Sequence, residues 1–120
     1  MSGSSARLDD EGLAIVLGAA ARFAGVHPRR RMVIPPAEIV DVTVTDARAV
    51  ASGLRWKVAG TALSRQRAMG WFSRPGHRGR WAWVWLTPGR TVRVITTTRR
   101  RPALVAVPDD WFADDPGAPT

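Results

Sequence analysis

Short strand-like runs, separated by turn signals every 8–12 residues, constrain this chain more than any other feature of its sequence. The clearest run is residues 39–45, where Val40, Val42 and Val44 share one face of a strand and polar residues hold most of the other. Proline and glycine close most of the runs, because proline cannot donate to a strand ladder and glycine permits tight turns. The runs lie at residues 12–18, 30–34, 39–45, 54–58, 68–73, 81–87, 91–97 and 103–107. They predict a mainly β domain of about seven short antiparallel strands, either a barrel or a sandwich.

Helical structure is expected only as short turns between these strands. Asp46 stands where a helix N-cap belongs, and residues 47–51 followed by Gly53 fit one helical turn with a glycine end. Residues 19–26 are rich in alanine and fit a second turn. A single helix over residues 13–24 competes with the strand at 12–18, because short apolar runs do not separate the two.

Two turns between strands are expected from glycine and proline. Pro88-Gly89 lies between the runs at 81–87 and 91–97, so these two strands are expected to form a hairpin. Gly60 is expected to lie in a turn after the run at 54–58. A basic turn, Arg99-Arg100-Arg101-Pro102, precedes the last strand.

The length of 120 residues predicts one domain, at residues 12–108, between two polar tails. Residues 1–11 are expected to fray, and residues 109–120 form an acidic, proline-rich tail. The longest apolar run, residues 12–21, is about half of what a membrane-spanning helix needs. Acidic residues precede it where a signal peptide would be basic. We therefore predict a cytoplasmic protein, and the absence of cysteine fits a reducing compartment.

The charge of the chain is divided very unevenly. The net charge is +8, and residues 47–108 carry twelve arginines and Lys57 without one acidic residue. Seven of the ten acidic residues lie within residues 9–11 and 109–115. This concentration of positive charge is expected to attract an acidic protein, an anionic lipid surface or nucleic acid.

The sequence offers no recognisable catalytic or metal site. Its two histidines, His27 and His77, lie in turns without a neighbouring carboxylate, and no nucleotide-binding or nucleophile motif is present. Acid–base chemistry would have to use Glu38, Asp41 and Asp46, for which turn, strand and cap roles are expected. We predict that the protein is not an enzyme and uses no cofactor or metal.

Trp81, Trp83 and Trp85 alternate along one predicted strand and so share one face. They are expected to fill a small core, since each aromatic side chain buries about 150–250 Å². The alternative is that they and Trp71 stack on nucleic-acid bases or form a subunit interface. Because the opposite face is also apolar, the strand is expected to pack on both sides, with a helix, the N-terminal segment or a second subunit covering one of them.

Arginine clusters in turns provide the candidate binding surface. Arginine binds phosphate and carboxylate with a planar fork, although exposed turn arginines also serve solubility alone. The candidate anion- or partner-binding residues are Arg65, Arg67, Arg74, Arg78, Arg80, Arg99, Arg100 and Arg101.

Three segments resemble small bacterial PH-like (pleckstrin-homology-like) proteins. Val-Ile-Pro-Pro-Ala-Glu-Ile-Val-Asp-Val-Thr-Val at 33–44 is similar to their strand, proline turn and strand, and Ser-Gly-Leu-Arg at 52–55 and Gly-Thr-Ala-Leu at 60–63 resemble two further segments. The likeness covers roughly residues 12–108. It implies a partly open barrel of about seven strands that acts as a binding or scaffolding module. The chain departs from the family after Val107, where a capping helix is usual.

Three functions follow as hypotheses. The first is a non-enzymatic binding or scaffold module whose arginine-rich surface recognises an anionic or protein partner. The second is a nucleic-acid-binding protein that uses arginine clusters and tryptophan stacking. The third is a structural protein that forms oligomers through the tryptophan strand and binds no ligand.

Overall fold

The computed structural model describes residues 4–18, 31–53, 57–62, 68–73, 80–87, 89–100 and 102–112. The fold is mainly β, as expected, and the described residues form nine strands rather than about seven. The strands are β1 (Ser5–Asp9), β2 (Gly12–Val16), β3 (Arg31–Ile34), β4 (Ile39–Asp46), β5 (Lys57–Ala62), β6 (Ala68–Ser73), β7 (Trp81–Leu86), β8 (Thr91–Thr97) and β9 (Leu104–Pro108). One helix, α1 (Ala47–Ser52), and two 3-10 turns, Pro36–Glu38 and Asp109–Phe112, complete the described elements.

The N-terminal part of the chain forms a three-stranded antiparallel sheet in the order β1-β2-β3. Ser5–Asp9 is a strand of this sheet, whereas the sequence analysis expected residues 1–11 to fray. The turn into β2 needs Gly12, because its φ is +103° and a Cβ there would collide with the Ile34 carbonyl oxygen. Alternate side chains of β2, Leu13 and Ile15, are fully buried.

The second sheet has six strands in the order β4-β8-β9-β7-β6-β5. The expected hairpin between β7 and β8 is wrong, because β9 lies between them, parallel to β7 and antiparallel to β8. Strand β9 is apolar and buried along its whole length, which suits a strand that is covered on both faces. The expected turn at Gly60 is also wrong, since Gly60 pairs with Gly70 inside the β5–β6 ladder.

The first core lies between the two sheets. It joins Leu13 and Ile15 of the small sheet to Trp83 and Val105 of the large one. The 3-10 turn Asp109–Phe112 adds two aromatic rings to this core, so the acidic segment expected as a tail is anchored at its start. Burial of this apolar surface is the main stabilising term for such a fold.

A second core covers the opposite face of the six-stranded sheet. Ala82, Val84 and Leu86 of β7 are fully buried there, and Ala47 and Val50 of α1 belong to the same cluster. The expectation that β7 packs on both sides is therefore confirmed, with the small sheet on one side and α1 on the other.

Helix α1 forms where its capping residues predicted it. The Asp46 carboxylate accepts a hydrogen bond of 2.7 Å from Ala49 N, and Gly53 ends the helix. The described residues contain no helix that is long and apolar enough to cross a membrane.

Candidate basic interface

The described members of two predicted arginine clusters, Arg80 in one and Arg99 and Arg100 in the other, lie at one end of the six-stranded sheet. The β8–β9 turn lies beside the start of β7, where Trp81 N donates to Arg100 O and Ala103 N donates to Trp81 O, both at 2.8 Å. These two bonds hold the backbone at Trp81, the residue after Arg80, against the backbone at Arg100, although Arg80 and Arg100 are twenty positions apart in sequence. We call Arg80, Arg99 and Arg100, with the neighbouring rings of Trp71 and Trp81, the basic end.

Thr97 shapes the turn that presents Arg99 and Arg100. Its buried hydroxyl donates to Pro102 O at 2.6 Å and accepts from Arg99 N at 3.0 Å. Residue type did not single out Thr97, because Thr96 and Thr98 beside it are the same. Strand alternation gave no signal either, since Thr97 shares a face with Thr91 and Arg93 as well as with Ile95.

Arg99 is held by a carboxylate of the same chain. Its guanidinium donates to both oxygens of Glu38, at 2.8 and 3.2 Å, and Thr98 N donates to Glu38 O at 2.9 Å. This fork-like contact lowers the pKa of Glu38 below its ordinary value, chiefly through the hydrogen bond, and raises the pKa of Arg99. The pair ties the start of β4 to the β8–β9 turn.

Arg80 and Arg100, by contrast, are exposed and make no salt bridge with any carboxylate of the described residues. Arginines elsewhere on the sheet are paired. Arg93 contacts Asp109 at 2.7 Å, and Arg90 contacts Asp110. The acidic segment therefore neutralises arginines at the opposite end of the sheet and leaves the basic end charged.

The tryptophans divide between the core and this surface. Trp83 has no exposed surface, so the prediction that it stacks on a ligand or forms an interface does not hold for this residue. Trp71 and Trp81 are half-buried, with ring centroids 6.3 Å apart in an edge-to-face contact, and Trp81 follows Arg80 in the chain. Trp85 is half-buried against Trp111, with centroids 6.1 Å apart.

Five of the predicted surface arginines lie outside the described residues: Arg65, Arg67, Arg74, Arg78 and Arg101. Three of them flank the basic end in sequence, because Arg74 and Arg78 lie between Ser73 and Arg80, and Arg101 follows Arg100.

The structure also contains a groove that the sequence did not indicate. It has a volume of about 470 Å³ and lies between α1 and the β4 side of the sheet, lined by Thr43, Val50 and Leu104 among others. Within the parts of the chain that the structure describes, no group of three or more histidine or acidic side chains is placed to hold a metal ion.

Comparisons of the chain with family models, with curated proteins and with solved structures find no match.

Proposed function

We propose that this chain is a non-enzymatic binding module whose basic end recognises an anionic partner, such as an acidic protein or an anionic lipid surface. The observation that carries the proposal is the pairing pattern of the arginines. Arg90, Arg93 and Arg99 are used in ion pairs, whereas Arg80 and Arg100 lie at the same end of the sheet, exposed and without a salt bridge to the described carboxylates. Exposed guanidinium groups that are not held by a carboxylate suit the binding of a carboxylate or phosphate.

Two of the acidic residues available for acid–base chemistry have structural roles. Glu38 holds Arg99, and Asp46 caps α1. These roles support a binding function in place of catalysis. The segments at 33–44, 52–55 and 60–63 support a relationship to PH-like proteins, and we propose that this chain shares their use as a binding or scaffolding module.

The proposal is tested with vesicles of phosphatidylcholine, with and without phosphatidylserine, and with tryptophan fluorescence as the readout. We expect saturable binding to the anionic vesicles at physiological salt. The double variant Arg80→Ser/Arg100→Ser should weaken it about 30-fold, because each basic residue near such a surface contributes about 1 kcal/mol. A titration with polyglutamate, compared for the same variants, tests binding to an acidic protein.

Arg31→Ser/Arg48→Ser provides the matched control. Both residues are exposed, neither is in a salt bridge with a described carboxylate, and the loss of charge is the same. Equal weakening by the two double variants would show that net charge alone drives binding. Absence of binding to vesicles and polyglutamate at physiological salt would contradict the proposal.

Nucleic acid is the second candidate, because the half-buried Trp71–Trp81 pair lies at the same end of the sheet as the arginines of the basic end. Stacking of a base contributes about 1–3 kcal/mol, and phosphate contacts make binding strongly dependent on salt. This reading predicts that oligothymidylate binds more tightly than polyphosphate of the same charge, and that Trp81→Leu abolishes the difference. Equal affinity for the two polymers would count against base recognition.

A further inference from the structure

The exposed large apolar side chains among the described residues are four valines, and three of them are on one strand. Val40, Val42 and Val44 of β4 are 62%, 37% and 57% exposed, and the fourth, Val33 of β3, is 48% exposed. The sequence pattern of β4 predicts one buried face, but the structure leaves both faces open to solvent over most of the strand.

Strand β4 is also the edge of the six-stranded sheet. It pairs with β8 on one side, in an unbroken register from Asp41 to Asp46, and with no described strand on the other. An extended edge with apolar side chains is a ready template for another strand, and soluble proteins usually cover or interrupt such an edge. The bulge between Ile39 and Asp41 interrupts it only at its start.

We propose that β4 pairs with β4 of a second copy of this chain, antiparallel and about a two-fold axis at Thr43. This register places Val42 of each copy opposite Val44 of the other, so four valines form one apolar cluster across the interface. It uses only residues 41–45 of each copy, which is the regular part of the strand. A register centred on Val42 would need Val40, which lies within the bulge.

The charges on β4 fit this register. Asp41 lies opposite Thr45 of the second copy, and the two Asp41 residues stand four positions apart along the strand, about 14 Å. That separation exceeds the screening length of about 8 Å at physiological salt. The Asp46 carboxylate is already used by the Ala49 amide at the N-terminus of α1.

The antiparallel arrangement also suits the uneven charge of the sheet. The basic end lies at the start of β4, where Glu38 holds Arg99, and Asp46 lies at the other end of the strand. Antiparallel pairing therefore sets the basic end of each copy toward the Asp46 end of its neighbour, and the two basic ends lie far apart. Parallel pairing would place them side by side, with direct repulsion.

The first experiment measures the molar mass of the full chain by light scattering over a dilution series. We expect a reversible monomer–dimer equilibrium. Val42→Lys and Val44→Glu should each weaken the dimer about tenfold or more, because each disrupts two symmetry-related cross-strand pairs. Val33→Lys changes a comparably exposed valine off this strand and should leave the dimer unchanged. Unchanged tryptophan emission will show that each variant is folded.

The second experiment tests the register by mixing variants. Equal amounts of Val42→Lys and Val44→Glu chains should recover a dimer, because Lys and Glu then face each other across the axis. A mixture of Val42→Lys and Val42→Glu chains should recover much less dimer, since those two positions are diagonal neighbours and not directly opposite. A chain that stays monomeric at every concentration, a dimer that resists the β4 variants, or equal recovery in both mixtures would overturn the proposal. Growth of large open assemblies would overturn it as well.

Discussion

The acidic C-terminal segment offers the sharpest test of how this fold is held together. Phe112 is 2% exposed and Trp111 6% exposed, and both belong to the core between the two sheets. The guanidinium of Arg93 lies 4.1 Å from the centre of the Phe112 ring and also contacts Asp109. An aromatic pair anchored in this way is part of the core rather than of a tail.

Replacing Phe112 with alanine removes the ring, leaves a cavity and releases Arg93 from its stacking contact. Truncating a buried phenylalanine costs about 3–5 kcal/mol. The loss is large when a domain of this kind has a free energy of unfolding of about 5–15 kcal/mol. We therefore expect the urea midpoint to fall by about 1 M or more, since the denaturant dependence is about 1–3 kcal/mol per molar urea.

The assay is equilibrium unfolding in urea, followed by tryptophan emission, on the whole chain. Asp110→Asn is the control from the same turn, because it breaks an exposed ion pair and should change stability by less than about 1 kcal/mol. Phe112→Leu should fall between the two, since it keeps most of the buried volume. A Phe112→Ala variant that loses no more stability than Asp110→Asn would refute the assignment of this turn to the core.

Two further predictions concern the links between elements. The Glu38–Arg99 pair should make the free energy of unfolding depend on pH, because the pKa of Glu38 is lowered in the folded state. The stabilisation by the pair is present above the ordinary pKa near 4.5 and is lost as the pH falls through the lowered pKa. Unfolding curves of the wild type and of Glu38→Gln should therefore converge in acid, and a constant difference at all pH values would exclude this linkage. Gly12→Ala should destabilise more than Gly89→Ala, although both glycines have a positive φ, because only the Gly12 methyl would strike backbone, at Ile34 O. Gly89→Ala should lower the free energy of unfolding by about 1–2 kcal/mol, the usual cost of left-handed backbone for a residue with a Cβ. Equal losses of stability for the two variants in thermal unfolding would contradict the steric argument.

Local signals in the sequence located most of the strands. The runs at β4, β6, β7 and β8 begin and end within a residue or two of their predicted bounds, because alternation and flanking turn residues act over a few positions. The cap of α1 was equally predictable, since Asp46 and Gly53 are adjacent to the helix that they close.

The order of the strands lay beyond these local signals. Pro88-Gly89 favours a hairpin of β7 with β8, and nothing near it in sequence shows that β9 enters between the two. The basic end was unpredictable for the same reason, because the start of β7 reaches the β8–β9 turn only through the parallel pairing of β7 with β9. The buried role of Trp111 and Phe112 was hidden among aspartates and prolines, whose composition indicates a tail.

Strand β4 shows a different limit of prediction from sequence. Its alternation of valine with polar residues predicts a strand, and the structure confirms it. Alternation alone, however, does not show which element, if any, packs against the apolar face. Edge position leaves Val42 and Val44 exposed, and that position is a property of the whole sheet. A pattern that normally marks the core thus marks a surface here.

The two proposed surfaces follow from one asymmetry of the six-stranded sheet. At one end of the sheet, where β8 ends and β4 begins, Glu38 pairs with Arg99. Arg80 and Arg100 at this end have no described carboxylate partner. At the other end, Asp109 and Asp110 neutralise Arg93 and Arg90. Pairing through residues 41–45 of β4 would leave Arg80 uncovered, because β8 and β9 separate β4 from β7. A dimer would then present two cationic ends on opposite sides, and a partner with repeated negative charges would bind it with greater avidity than the monomer.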